Sequence, residues 1–162
     1  MIAAYTVQKL GKKAILVEPG RRIGGLTSGG LGYTDIGNKY AISGISRDFY
    51  RRVGKHYGKF EQWIFEPKVA EMIFQGYVER GGFEVLYETR LKEVRKDGNR
   101  ITEVVLENSI NPSRATDVVV RAKMFIDSGY EGDLMARAGV SYTTGREDNK
   151  DYNETINGVQ LM

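Results

Sequence analysis

The sequence predicts an α/β fold: a parallel sheet with helices on both faces and an antiparallel β-meander inserted before the last strand. Three observations carry this reading. Short apolar runs, Ala14 to Glu18 and Phe83 to Thr89, alternate with helical patterns, the alternation that builds a parallel sheet. Between residues 90 and 121 the texture changes to period-two alternation around Asp97-Gly98, a hairpin signal. The stretch 118–129 is long enough to close a meander and then continue as a further buried strand.

Each element has a local cause. The first residues read as a short helix, with Ala3, Val7 and Leu10 at helical spacing and Gly11 ahead of two lysines as its stop. The run Ala14 to Glu18 is continuous, apolar and bounded by turn residues, which predicts a strand buried on both faces. Seven glycines follow between Val17 and Gly37. Ordering glycine costs backbone entropy, so such a cluster implies a linker, a set of tight turns or a backbone that approaches a ligand. Residues 45–58 form a helical pattern with Ile45, Phe49 and Val53 on one face. Residues 66–82 form a stronger one: Pro67 suits its first turn, Val69, Met72, Ile73 and Tyr77 make its apolar face, and Gly81-Gly82 end it. Trp63 between them reads as a core aromatic. A short helix over 133–139 has Asp133 as N-cap and Gly139 as stop. The organisation expected is 1–89, a meander over 90–121, a final parallel strand and helix over 122–139, and from 140 the polar start of a following region that ends on "GVQLM" without a stop signal.

Composition excludes several classes. The net charge is +3 with scattered basic residues, so no nucleic-acid-binding stripe is present. The chain has no cysteine and one histidine, which rules out disulfides, thiolate metal sites and His-rich metal sites within it. No apolar run reaches bilayer-spanning length, and the first residues lack the order of a signal peptide. A cytoplasmic location without membrane partner is the default, with a leader ahead of Met1 left open. A small molecule is the expected substrate, and oligomeric state is not legible.

Chemistry concentrates behind the first strand. An acid ending a strand, about fifteen residues after a helix start, has the layout of a dinucleotide-binding βαβ unit, where the carboxylate accepts both ribose hydroxyls of an adenosine. Glu18 stands there, although an acid ending a strand is also often merely solvated. Five residues on, Arg22-Ile23-Gly24-Gly25 follows. Further along, "RAKMFIDSGYEGDLMARAG" and "FEVLYETRLKEV" complete the set.

Together these stretches resemble the FAD-dependent oxidoreductases with a glutathione-reductase-like, Rossmann-type nucleotide-binding domain, in particular a bacterial branch of unassigned substrate. The resemblance implies FAD as cofactor. Glu18 would hold the adenosine ribose, Arg22 would offset phosphate charge, and Gly24 and Gly25 would let backbone N–H groups approach the pyrophosphate or ribityl chain. It implies N–H groups of Ser28, Gly29 and Gly30 near the flavin ring, backbone around Leu91 at the adenine edge, and Asp127, Ser128 and Gly129 near the pyrophosphate. The "IDSG" sequence departs from the family's usual Ala-Thr-Gly, with Ser128 in the altered place.

The family's first strand and Gly-x-Gly-x-x-Gly signature would precede Ile2, so the chain reads as a fragment without its central strand. That strand would lie between Ala14–Val17 and Met124–Asp127, leaving them about 9–10 Å apart or pairing directly. Weak or absent FAD binding by the chain alone is then expected. Two other readings stay open, an NAD-dependent dehydrogenase domain and a non-catalytic remnant. No catalytic residue is assigned. Tyr33, Asp35 and Tyr40 either face substrate or are solvated. His56 suits a surface position at a helix end, and the charge of Glu18 argues against Arg21 receiving an NADP phosphate.

Overall fold

The computed structural model of the chain describes residues 1–155 and 158. The "GVQLM" ending lies, apart from Gly158, outside them. The elements in order are α1 (Ile2–Lys9), β1 (Ile15–Val17), a π-helical turn (Thr27–Leu31), α2 (Gly44–His56), α3 (Pro67–Gly81), β2 (Glu84–Leu86), β3 (Thr89–Asp97), β4 (Arg100–Asn108), β5 (Val118–Arg121) and α4 (Asp133–Arg137). β1 and β2 form a parallel pair, and β3, β4 and β5 form an antiparallel sheet in that order. The fold is the α/β type expected, with the meander between β2 and α4.

Helix α3 is the hub. Pro67 stands in its first turn, where a missing N–H leaves no helical bond unmade, and Gly82 ends it with φ 64°. Its buried stripe of Val69, Ala70, Ile73, Phe74 and Tyr77 meets Phe49 and Val53 of α2 and Ile23 of the glycine loop. Phe49 stacks on Phe74 with ring centres 4.8 Å apart and meets Phe65 edge-on at 5.6 Å. Such pairs add about 0.5–1.5 kcal/mol beyond simple burial. Trp63 is buried, as expected, and stacks on Tyr50 at 3.9 Å.

Two apolar faces differ from their sequence reading. Met72 is 53% exposed, because the stripe that meets α2 runs through residues 69, 73 and 77. α1 leans on the core through Ile2 and Tyr5, with Ala4 buried. Leu10 is exposed because the helix has already ended at Lys9.

The sheets also carry corrections. Leu16 lies opposite Val85 and both pack on the core, but Ile15 is 41% exposed. β1 is therefore not buried on both faces, and among the described residues a strand pairs along only one of its edges. The run 83–89 does not form one strand: Glu88, at φ 49°, breaks it between β2 and β3. The hairpin loop is Gly98-Asn99, between the paired Asp97 and Arg100, one residue later than its sequence signal. Gly98 has φ 57°, which suits the first central position of a two-residue hairpin turn.

β5 forms as expected, but its continuation does not. Residues 124–127 make no ladder among the described residues, neither with β1 nor elsewhere, and Met124 and Ile126 are exposed. A strand forms only against a neighbour's N–H and C=O groups, and the unpaired edge of β1 is not joined to this segment.

Candidate functional site

The candidate site starts where β1 ends. Glu18 keeps the strand register by donating its N–H to Leu86 O at 2.9 Å and accepting from Thr89 N at 3.1 Å. Its Oε1 accepts from Gly20 N at 2.8 Å, so the carboxylate is held by its own turn with the other oxygen left for a further donor. It also acts electrostatically on the Met1 ammonium at the start of α1, whose pKa burial lowers while Glu18 opposes that lowering.

The loop after Glu18 is pinned from the meander side. The Ser109 hydroxyl donates to Pro19 O at 2.6 Å, and Glu88 N donates to Gly20 O at 2.9 Å. Arg21 pairs with Glu88. Arg22 is exposed and reaches Glu71 at 3.7 Å, so most of its guanidinium faces solvent.

Gly24 and Gly25 have clear packing reasons. Gly24 has φ 105°, and a Cβ there would overlap the Phe74 ring and come within 2.7 Å of Ser28 Oγ. Gly25 has φ 54°, and a Cβ there would overlap the Tyr130 hydroxyl. Their missing side chains make room for protein atoms, which the sequence reading had assigned to cofactor. Ser28 is buried, and its hydroxyl donates to Ile23 O at 2.5 Å. Its side chain thus closes the loop on itself, inside the π-helical turn. Gly29 and Gly30 are exposed, with open space where their Cβ atoms would stand.

The second motif loop meets the first through Tyr130, whose hydroxyl accepts from Leu26 N at 2.8 Å. Ser128 and Gly129 are exposed beside it. Asp127 organises the bend: Oδ1 accepts from Gly129 N at 2.9 Å, and Oδ2 from Leu134 N and Met135 N at 3.0 and 3.3 Å. Asp127, not Asp133, therefore satisfies the first N–H groups of α4. Leu91 lies two residues beyond the Glu18–Thr89 contact, opposite Leu106 in the meander, and its carbonyl accepts from Arg137 Nε at 3.4 Å. The structure thus brings together Glu18, the 19–30 loop and the 128–130 bend, with Leu91 to one side. Tyr130, Ser109 and Phe74 escaped sequence reasoning, because each acts across more than forty residues with no local pattern.

Other candidates lie apart. His56 is exposed at the end of α2. Tyr33 and Tyr40 are exposed, and Tyr40 lines, with Lys39, Asn38 and Trp63, an open concavity of about 350 Å³. No helix among the described residues is long and apolar enough to cross a membrane, and no cluster of three potential metal ligands occurs among them.

A parallel strand that ends in an acid, followed by a glycine loop and a second parallel strand, is the layout of a Rossmann-like fold. The chain belongs to the FAD dependent oxidoreductase family, whose model matches residues 1–162. Its fold is similar to that of Thermovibrio ammonificans THI4, at 17% identity and a TM-score of 0.57 over 86% of this chain and 58% of that one. It is also similar to a triple mutant of the flavin-dependent brominase Bmp2, at 18% identity and a TM-score of 0.56 over 86% of this chain and 38% of that one. At such identities the likeness is one of fold. The chain spans little more than half the length of the first and well under half that of the second. No curated protein matches the chain.

Proposed function

We propose that this chain forms the adenosine-facing part of an FAD site in an oxidoreductase whose flavin accepts a hydride from a small organic substrate. The observation that supports it most is Glu18, held at the end of β1 with one carboxylate oxygen bonded to Gly20 N and the other uncommitted. In this reading Glu18 accepts from the ribose hydroxyls and Arg22 offsets phosphate charge from its exposed position. The open backbone at Gly29 and Gly30 approaches the ring end, where N–H groups would stabilise negative charge. Gly24 and Gly25 act indirectly, by letting Phe74 and Tyr130 fix the loop. The backbone at Ser128 and Gly129 faces the pyrophosphate, and that around Leu91 the adenine edge. When bound, FAD supplies a two-electron acceptor.

The test is a titration of the chain with FAD, followed by flavin fluorescence, with AMP as competitor. AMP is expected to compete, and Glu18→Gln, which keeps an acceptor for Gly20 N, to weaken FAD about tenfold, or roughly 1.4 kcal/mol. Binding by this chain alone is expected to be weak, and undiminished FAD affinity in Glu18→Gln, no competition by AMP, or a preference for NAD over FAD overturns the reading.

A further inference from the structure

Helices α2 and α3 leave between them a groove that the cofactor reading does not use. It has a volume of about 220 Å³ and is lined by Arg52 and Lys55 from α2 and by Met72, Ile73, Gly76 and Arg80 from α3. Residues 72, 76 and 80 recur at i, i+4 spacing and residues 52 and 55 at i, i+3, so each helix presents these groups along one face. Cations therefore enter the groove from both walls. Gly76 leaves the wall low beside Arg80: a Cβ there would stand 3.1 Å from Arg80 Nη1.

The charges are unbalanced. Asp48 is the acid beside the groove, and it is already committed, accepting from Arg52 Nε and from the Tyr77 hydroxyl, each at 2.6 Å. Among the described residues no carboxylate comes within salt-bridge distance of Lys55 or Arg80. Glu79, on the next turn of α3, is exposed and does not line the groove. The guanidinium groups of Arg52 and Arg80 both lie against the Tyr77 ring, at 5.1 and 5.0 Å from its centre. These cation–π contacts hold both groups beside one ring before any ligand arrives, which lowers the ordering cost of binding. Next to these cations Met72 presents an exposed thioether chain, and Ile73 forms an apolar floor.

We propose that this groove binds a soluble phosphate monoester, with the phosphate held by Arg80, Lys55 and Arg52 and the organic part resting on Met72 and Ile73. Guanidinium forks match phosphate oxygens in pairs, and lysine adds a mobile point charge. Methionine adapts its shape to an apolar group without a fixed partner. Three cations around a single committed carboxylate suit a dianion better than a lone carboxylate.

The experiment titrates the full chain calorimetrically with phenyl phosphate, inorganic phosphate and benzoate, and in parallel with vesicles carrying phosphatidic acid. Phenyl phosphate is expected to bind more tightly than either of the others. Lys55→Gln and Arg80→Gln should each weaken it about tenfold. Met72→Ala should narrow its advantage over inorganic phosphate. Glu18→Gln should change none of these values, which separates this site from the proposed FAD site. Arg80 stacks on Tyr77, so its variant is first checked by thermal melting. Lys55→Gln, at an exposed position, decides the matter if Arg80→Gln does not fold. Phenyl phosphate affinity unchanged in Lys55→Gln, binding of benzoate as tight as phenyl phosphate, or binding only to vesicles carrying phosphatidic acid would overturn the proposal.

Discussion

Two glycine-bearing loops frame the candidate site, and they are held in opposite ways. Residues 19–32 are clamped from within: Ile23 has no exposed surface, Ser28 is buried, and Gly24 lies under the Phe74 ring. Residues 127–130 are exposed throughout, and one carboxylate, that of Asp127, takes three N–H groups to shape them. The first loop is part of the core and inherits its rigidity. The second is a surface bend with a single organising group. Similar composition thus serves two mechanical roles, and what separates them is the side chain each glycine makes room for.

Substitutions at Gly24 should break this contrast most strongly. Gly24→Ala combines a left-handed φ with overlap of Phe74 and is expected to cost roughly 3 kcal/mol or more, read from urea unfolding. In a Phe74→Ala background, itself about 3–5 kcal/mol less stable, the added cost should shrink toward the backbone share of about 1–3 kcal/mol, with the Ser28 Oγ contact still in place. An unchanged penalty in that background would show that the ring contact is not what demands glycine.

Ser28→Ala comes next. It leaves the buried Ile23 carbonyl without its donor, for a loss of about 1–3 kcal/mol in the same assay. A neutral result would detach the loop from the core.

Acid should then act on the helical side. Burial opposes the ionisation of Asp48, but hydrogen bonds from Tyr77 and Arg52, with the charges of Arg52 and Arg80, outweigh it and hold its pKa below the ordinary carboxylate value. A depressed folded-state pKa means stability that is present at neutral pH and lost as pH falls through about 4 and below. The urea midpoint should therefore drop from about pH 6 to about pH 3, and less steeply in Asp48→Asn. Equal slopes in the two proteins would remove Asp48 from the account.

The smallest effect belongs to the surface bend. Asp127→Asn should speed amide exchange at Leu134 and Met135, with a local loss of about 1 kcal/mol. The global midpoint should stay within about 0.5 kcal/mol. A large global loss would make the two loops alike.

The sequence showed the fold where causes are local. Pro67, the buried stripe of α3, the alternation around Asp97-Gly98 and the acid closing β1 each act within a turn or a strand. Burial of β1 and the strand at 124–127 were misread, because an apolar run records what a segment can bury and not which neighbour is there to pair with it. For the candidate site the sequence named positions that lie on neighbouring loops, Glu18, Arg22, Gly24, Gly25 and the 128–129 bend, but not what holds those loops together. Phe74 and Tyr130, which account for the two adjacent glycines, leave no trace at the glycines themselves. Glu18, braced by a residue two positions away, needed no such help.

The bond from Ser109 to Pro19 joins residues 90 positions apart, and that from Leu26 to Tyr130 joins residues 104 apart. Closing segments of that length carries an entropic cost met only after nearer contacts have formed, whereas the Gly98-Asn99 hairpin closes locally. During synthesis residues 19–30 leave the ribosome before residues 109 and 130, which make the two clasps, have been added. The glycine loop is made early and acquires its shape late, when residue 130 has joined it.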